Sequence, residues 1–107
     1  MGYSYGIKQC CETILHLSSD QNFNERIAKA FSEIGIIHES DVSKKHFKEI
    51  KDWRNKYLSI AELLIDKKGT LQVVDKEKEL RNLATEIVSL CIDIVEHNSK
   101  NSKKTEP

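Results

Sequence analysis

The run Leu80-Arg81-Asn82-Leu83-Ala84-Thr85-Glu86-Ile87-Val88-Ser89-Leu90-Cys91-Ile92-Asp93-Ile94-Val95 decides the fold. Leu80, Leu83, Ala84, Ile87, Val88, Cys91, Ile94 and Val95 recur at intervals of three and four, the period that gathers side chains on one helix face. The spacing predicts a helix from about Lys76 to His97. Asp75 stands at the N-cap, with Glu77 and Glu79 in the first turn facing the positive end of the dipole, while Asn98 and a lysine-rich tail mark the stop. Leu90 and Ile92 lie off the stripe and widen its apolar arc, which predicts contact with more than one neighbour.

Upstream, Phe47, Ile50, Trp53, Tyr57, Ile60 and Leu64 form the stripe of a second long helix, Ser43 to Ile65. Its first half carries Lys44, Lys45, Lys48, Glu49, Lys51 and Asp52 off that stripe, so one side is wet. Asn22-Phe23-Asn24-Glu25 reads as a capping box, in which Asn22 accepts from the Glu25 amide and Glu25 reaches back. The helix it opens, Phe23 to Ile34, is expected to end at Gly35 in left-handed conformation. Before it, Ile7, Cys10, Cys11, Ile14, Leu15 and Leu17 give a shorter helix bounded by Ser18-Ser19-Asp20. Residues 66 to 74 read as an irregular connection whose Leu71, Val73 and Val74 pack down. Residues 98 to 107 are polar and are expected to be disordered.

Four amphipathic helices with short connections predict an all-α fold, a small antiparallel four-helix bundle with a disordered C-terminal tail. The expected division is one helical domain over 1–97 and a tail over 98–107. A chain of 107 residues buries roughly two-thirds of its extended surface, enough for one core. The single proline, Pro107, is the last residue and there are four glycines, so few positions interrupt long helices. Lys+Arg and Asp+Glu are 17 each, and the formal charge of zero removes the bulk electrostatic argument for a general nucleic-acid or membrane-surface binder. No apolar run approaches the ~20 residues of a bilayer span, no leader is legible, and Gly6 stands where a myristoylation signal needs Ser or Thr. The expectation is a cytoplasmic protein with no membrane anchor.

Several pieces resemble a family of short, uncharacterised bacterial all-helical proteins. They are Glu25-Arg26-Ile27-Ala28 with Ala30-Phe31, then Glu39-Ser40-Asp41-Val42, then Lys68-Gly69-Thr70-Leu71-Gln72, then Glu79-Leu80-Arg81-Asn82-Leu83-Ala84 through Ile87-Val88. The resemblance spans about residues 10 to 97 and departs at Ser43, where proline is expected at a helix start. It implies the helical fold and carries no activity.

Chemistry-bearing residues are sparse. Cys10, Cys11 and Cys91 sit among apolar neighbours, and with His16, His38, His46 and His97 they offer no Cys-x-x-Cys or His-x-x-x-His pair, so reduced core thiols and no metal are expected. HEPN-type helical ribonucleases place His five to seven residues after Arg. Arg26, Arg54 and Arg81 are followed there by Phe31-Ser32-Glu33, Ser59-Ile60-Ala61 and Glu86-Ile87-Val88, which excludes that chemistry. No Ser-His-acid set or carboxylate pair stands out, so no catalytic residue, cofactor or small-molecule substrate is assigned. Trp53 and Tyr57 fit the core stripe by period, yet both are residue types that anchor interfaces. With Leu90 and Ile92 they form the expected partner-binding set of a non-enzymatic helical interaction protein that engages itself, as a homodimer, or a larger protein. The alternative is a small nucleic-acid-binding regulator using Lys44, Lys45, Lys48 and Lys51. Against it, Asp41, Glu49 and Asp52 are interleaved, and the stretch from Gly35 to Ser43 is long for a helix-turn-helix.

Overall fold

A computed structural model describes residues 2–20, 22–65 and 70–105, and among them every regular element is helical. Helix α1 spans Tyr3–Leu17, α2 Phe23–Ile34, α3 Lys44–Ile65 and α4 Thr70–Thr105, with a single 3-10 turn at Glu39–Asp41 between α2 and α3. The all-α expectation holds. Lys68 and Gly69, and the 66–69 part of the expected connection, lie outside the described residues, as do the side chains of Leu71, Val73 and Val74.

Local chemistry explains the starts and stops. The Asn22 side chain accepts from the Glu25 amide at 2.9 Å, the cap its sequence predicts. Ser43 does the same for α3, its Oγ accepting from the His46 amide at 3.1 Å. At the end of α1 the hydroxyls of Ser18 and Ser19 donate to the carbonyls of Ile14 and His16, both at 3.0 Å, and so add to the backbone amides that those carbonyls accept in the last turn. Gly35 departs from expectation: its φ of −71° is right-handed, so no left-handed turn demands glycine. A Cβ there would sit 2.8 Å from the Arg54 guanidinium, the flexible end of a side chain that would have to shift.

Helix α1 packs along both α4 and α2, α3 packs along α4, and α2 makes a smaller contact with α3. Thirty-six residues of α4 extend about 54 Å at 1.5 Å per residue, which matches the 54 Å long dimension of the molecule. The core between the helices holds Cys10, Ile27, Ile34, Ile50, Trp53, Leu80, Leu83, Ile87, Leu90, Cys91 and Ile94. Trp53 donates its Nε1–H to the Leu83 carbonyl at 2.8 Å, tying α3 to α4 with its one polar atom satisfied. Phe31 stacks on Tyr57 at 4.7 Å between centroids while Arg54 lies over the other flank of Phe31 at 4.5 Å, so rings and a guanidinium join α2 to α3.

Two sequence expectations about α4 are corrected. It begins at Thr70, six residues before the predicted start, so 70–74 are helical. At the other end it continues through 98, so the boundary drawn between 97 and 98 falls inside a helix and the expected disordered tail does not begin there. The reason is Asn98, which is fully buried. Its Nδ2 donates to the Asp41 carbonyl at 2.9 Å and to the Tyr3 carbonyl at 3.1 Å. Asp41, also fully buried, accepts the Gly2 amide on Oδ1 at 2.8 Å and the His38 amide on Oδ2 at 2.9 Å. Gly6 passes so near that a Cβ would collide with the Asp41 carbonyl oxygen.

Replacing Asn98 by Leu takes the side-chain donor from the buried Asp41 carbonyl and from the part-buried Tyr3 carbonyl, and the expected loss is about 1–3 kcal/mol of unfolding free energy in urea titration. Gly6→Ala is expected to cost a similar ~1–3 kcal/mol by overpacking. A change at Asn98 no larger than that of an exposed control, Lys100→Ala, would contradict the buried hydrogen bonds.

Candidate functional site

A concavity with a largely apolar wall lies along α4 on the side facing α1. Ile14 and Leu17 of α1, Phe23 of α2, and Ala84, Val88 and Ile92 of α4 line a groove of about 710 Å³. Helical period puts Ala84, Val88 and Ile92 on a common flank of α4, next to the stripe that faces the core. Ile92 is 47% exposed there, one of four large apolar side chains open to solvent among the described residues. Ser18, Thr85 and Ser89 supply small polar positions around it.

Two cations mark one end. The guanidinium of Arg26 lies 5.5 Å from the Phe23 ring centre and that of Arg81 5.8 Å, so both guanidiniums lie over one aromatic ring. Arg26 also donates from Nη1 to the Leu17 carbonyl at 2.9 Å, closing the C-terminus of α1 and fixing its own position. The result is an apolar trough with a positive end, a shape that receives an apolar ridge bearing an acidic group.

The sequence-derived partner set divides. Trp53 and Leu90 are 3% and 7% exposed and belong to the core, so neither presents a surface on the folded chain. The widened arc that Leu90 contributes faces α3 rather than an outside partner, because α4 packs along α1 and α3 at once. Tyr57 is half-buried in the stack with Phe31 and Trp53, where burial raises its phenol above the usual value. Ile92 alone of the four stands open, and the structure brings it together with Ile14, Leu17, Phe23, Arg26, Arg81 and Val88. The sequence reading assigned most of those to the core or to no role. The missed signal is that Val88 and Ile92 are one turn apart, a second apolar row beside the core stripe. Lys44, Lys45, Lys48 and Lys51 are all exposed, and Lys51 rests its amine 4.8 Å over the Phe47 ring.

The other chemistry-bearing groups lie outside the lining of this groove. Cys10 and Cys91 are buried in contact between α1 and α4, and the hydrogen bond with Cys10, then burial, pushes the Cys91 thiol far up, so it stays protonated. No group of three His, Cys, Asp or Glu side chains among the described residues is arranged to hold a metal. No helix among them is long and apolar enough to cross a membrane. His46 and His97 meet edge to face at 5.3 Å, in a polar cleft with Lys45, Asp93, Glu96 and Lys100. Burial, helped by His97 and Lys45 and opposed by Glu49 and Asp93, lowers the His46 pKa below its usual 6.5. No protein-family model matches the chain, and no curated protein or solved structure is significantly similar to it.

A depressed histidine pKa means that the unfolded chain binds the proton more readily, so stability is full above pH 6.5 and declines as pH falls through the interval between the two values. The thermal midpoint of the wild-type chain is expected to drop more between pH 7 and pH 5 than that of His46→Gln. Equal slopes in differential scanning calorimetry would refute this account.

Proposed function

We propose that the chain is a non-enzymatic interaction protein that docks a helix of a protein partner, another protein or a second copy of itself, in the groove between α1 and α4. The four helices are taken to close as an antiparallel bundle, since α2, α1, α4 and α3 contact one another in a ring. The observation that carries the reading is Ile92, nearly half exposed in an apolar trough whose far end holds two guanidiniums. Helix-in-groove recognition uses such a trough, with apolar anchors one turn apart supplying affinity and charges at the rim selecting the partner. The protonated Cys91 thiol and the small number of convergent titratable groups favour a binding role over chemistry.

A second reading is nucleic-acid binding through Lys44, Lys45, Lys48 and Lys51. What favours it is their shared exposure at the start of α3, with 44, 48 and 51 on one helical face. Against it stand Glu49 and Asp52 in the same two turns.

The test immobilises the full chain and compares proteins retained from an extract of its native host by wild type, Ile92→Glu and the control Leu58→Glu, which alters an equally open leucine on α3. A protein, or the chain itself, held by wild type and Leu58→Glu but lost by Ile92→Glu supports the groove. Identical retention by all three removes it. Duplex or single-stranded nucleic acid bound with a log-log salt slope of about −0.9 per phosphate contact on duplex, and lost in Lys44→Glu/Lys48→Glu, would establish the second reading.

A further inference from the structure

This inference rests on reading the groove as a docking surface and names its occupant. Arg81, Thr85, Val88, Ile92 and Val95 succeed one another at intervals of four, three, four and three residues. That spacing, 3.5 residues on average, is the seam of a coiled coil. It is a different stripe from the one that fills the core, in which Leu80, Leu83, Ile87, Cys91 and Ile94 are buried. Most of the seam faces outward: Arg81, Thr85 and Ile92 are exposed and Val88 is half-buried, while Val95, also half-buried, rests against the edge of the core.

We propose that α4 pairs along this seam with α4 of a second copy of the chain, antiparallel, about a two-fold axis level with Leu90. Such an axis sets Val88 of each copy beside Ile92 of the other, and Thr85 beside Val95. Ala84 and Ser89 flank the seam with small side chains that let the helices approach to the ~8–10 Å typical of packed pairs. The groove wall formed by Ile14 and Leu17 then covers the side of the incoming helix.

Charge selects the direction. Arg81 lies at one end of the seam and Glu96 at the other, about 22 Å away along the helix. Both are exposed, and neither forms an ion pair with another described residue. Antiparallel pairing brings Glu96 of the second copy to the end where Arg81 and Arg26 share the Phe23 ring, and the two-fold axis repeats this contact. Parallel pairing sets Arg81 against Arg81 and Glu96 against Glu96. Because the same patch serves both copies, the assembly closes at two and does not propagate. An interface built on a single helix pair is small beside those of obligate dimers, so the dimer is expected to dissociate on dilution.

Sedimentation velocity of the full chain over a wide concentration range is expected to show a reversible monomer–dimer equilibrium. Ile92→Glu is expected to remain monomeric with an unchanged helical circular-dichroism spectrum. Arg81→Glu and Glu96→Arg are each expected to weaken dimerisation about tenfold by setting like charges together. The double variant Arg81→Glu/Glu96→Arg remakes both contacts with reversed sign and is expected to return the wild-type dissociation constant, whereas a parallel pair would gain nothing from it. A wild-type chain that is monomeric at every concentration, a dimer indifferent to Ile92→Glu, or a double variant no stronger than the single ones overturns the inference. If wild type is monomeric yet retains a different protein that Ile92→Glu loses, the groove reading survives and this assignment alone fails.

Discussion

Asp41 has no exposed surface, and the arrangement of the helix ends depends on how its polar atoms are satisfied. Burying an acid is costly unless donors meet it, and here two backbone amides do so, one from the start of α1 and one from the 3-10 turn that Asp41 itself closes. Its carbonyl then takes the Asn98 amide, which brings in the C-terminal third of α4. One residue thus holds three segments far apart in sequence. Ser43, which caps α3, follows two positions later, so the same junction sets where α3 departs. Gly6 is part of the arrangement because any side chain at that position would occupy the space of the Asp41 carbonyl oxygen.

The four helices were legible because each writes its buried face at helical period, and Asn22, Ser18 and Ser43 write their boundaries. The junction was not legible, since it joins residues 2, 6, 41 and 98 through contacts with no periodicity. Asp41 in Glu39-Ser40-Asp41 looks like any acidic residue before a helix, and Asn98 looks like any helix stop. The same limit explains Gly35. A glycine after an apolar helical run signals a left-handed end, but Gly35 is right-handed and its close neighbour is the Arg54 guanidinium of another helix, which local sequence does not encode. For the site, periodicity set Ile92 and Leu90 together as surplus to the core, while Trp53 fits the core stripe and is buried there. Whether an off-stripe apolar residue meets solvent or a second neighbour depends on where α3 lies, and that is a tertiary fact.

Helix α4 carries two apolar registers whose difference is small in sequence and large in consequence. Its core stripe is completed by Asn98, a polar residue that only an internal position explains. The neighbouring row through Val88 and Ile92 is bounded by charges at each end and by small residues beside it, a composition suited to a surface that is covered part of the time. A wholly apolar row would aggregate, and a wholly polar one would have nothing to bury.

The groove exists because of where α2 is held. Arg26 fastens the start of α2 to the C-terminus of α1 through the Leu17 carbonyl, and the Phe31–Arg54–Tyr57 cluster fastens its other half to α3. A helix tied at both ends in this way spans from α1 to α3 and leaves the outer flank of α4 uncovered. The arginine that fixes α2 also stands at the mouth of the opening, so the contact that creates the trough gives it its charge. Trough and charge therefore arise together: removing Arg26 would loosen α2 and discharge the rim at once. For that reason Arg81, whose guanidinium lies over the Phe23 ring and fastens no helix end among the described residues, is the cleaner residue for separating recognition from stability.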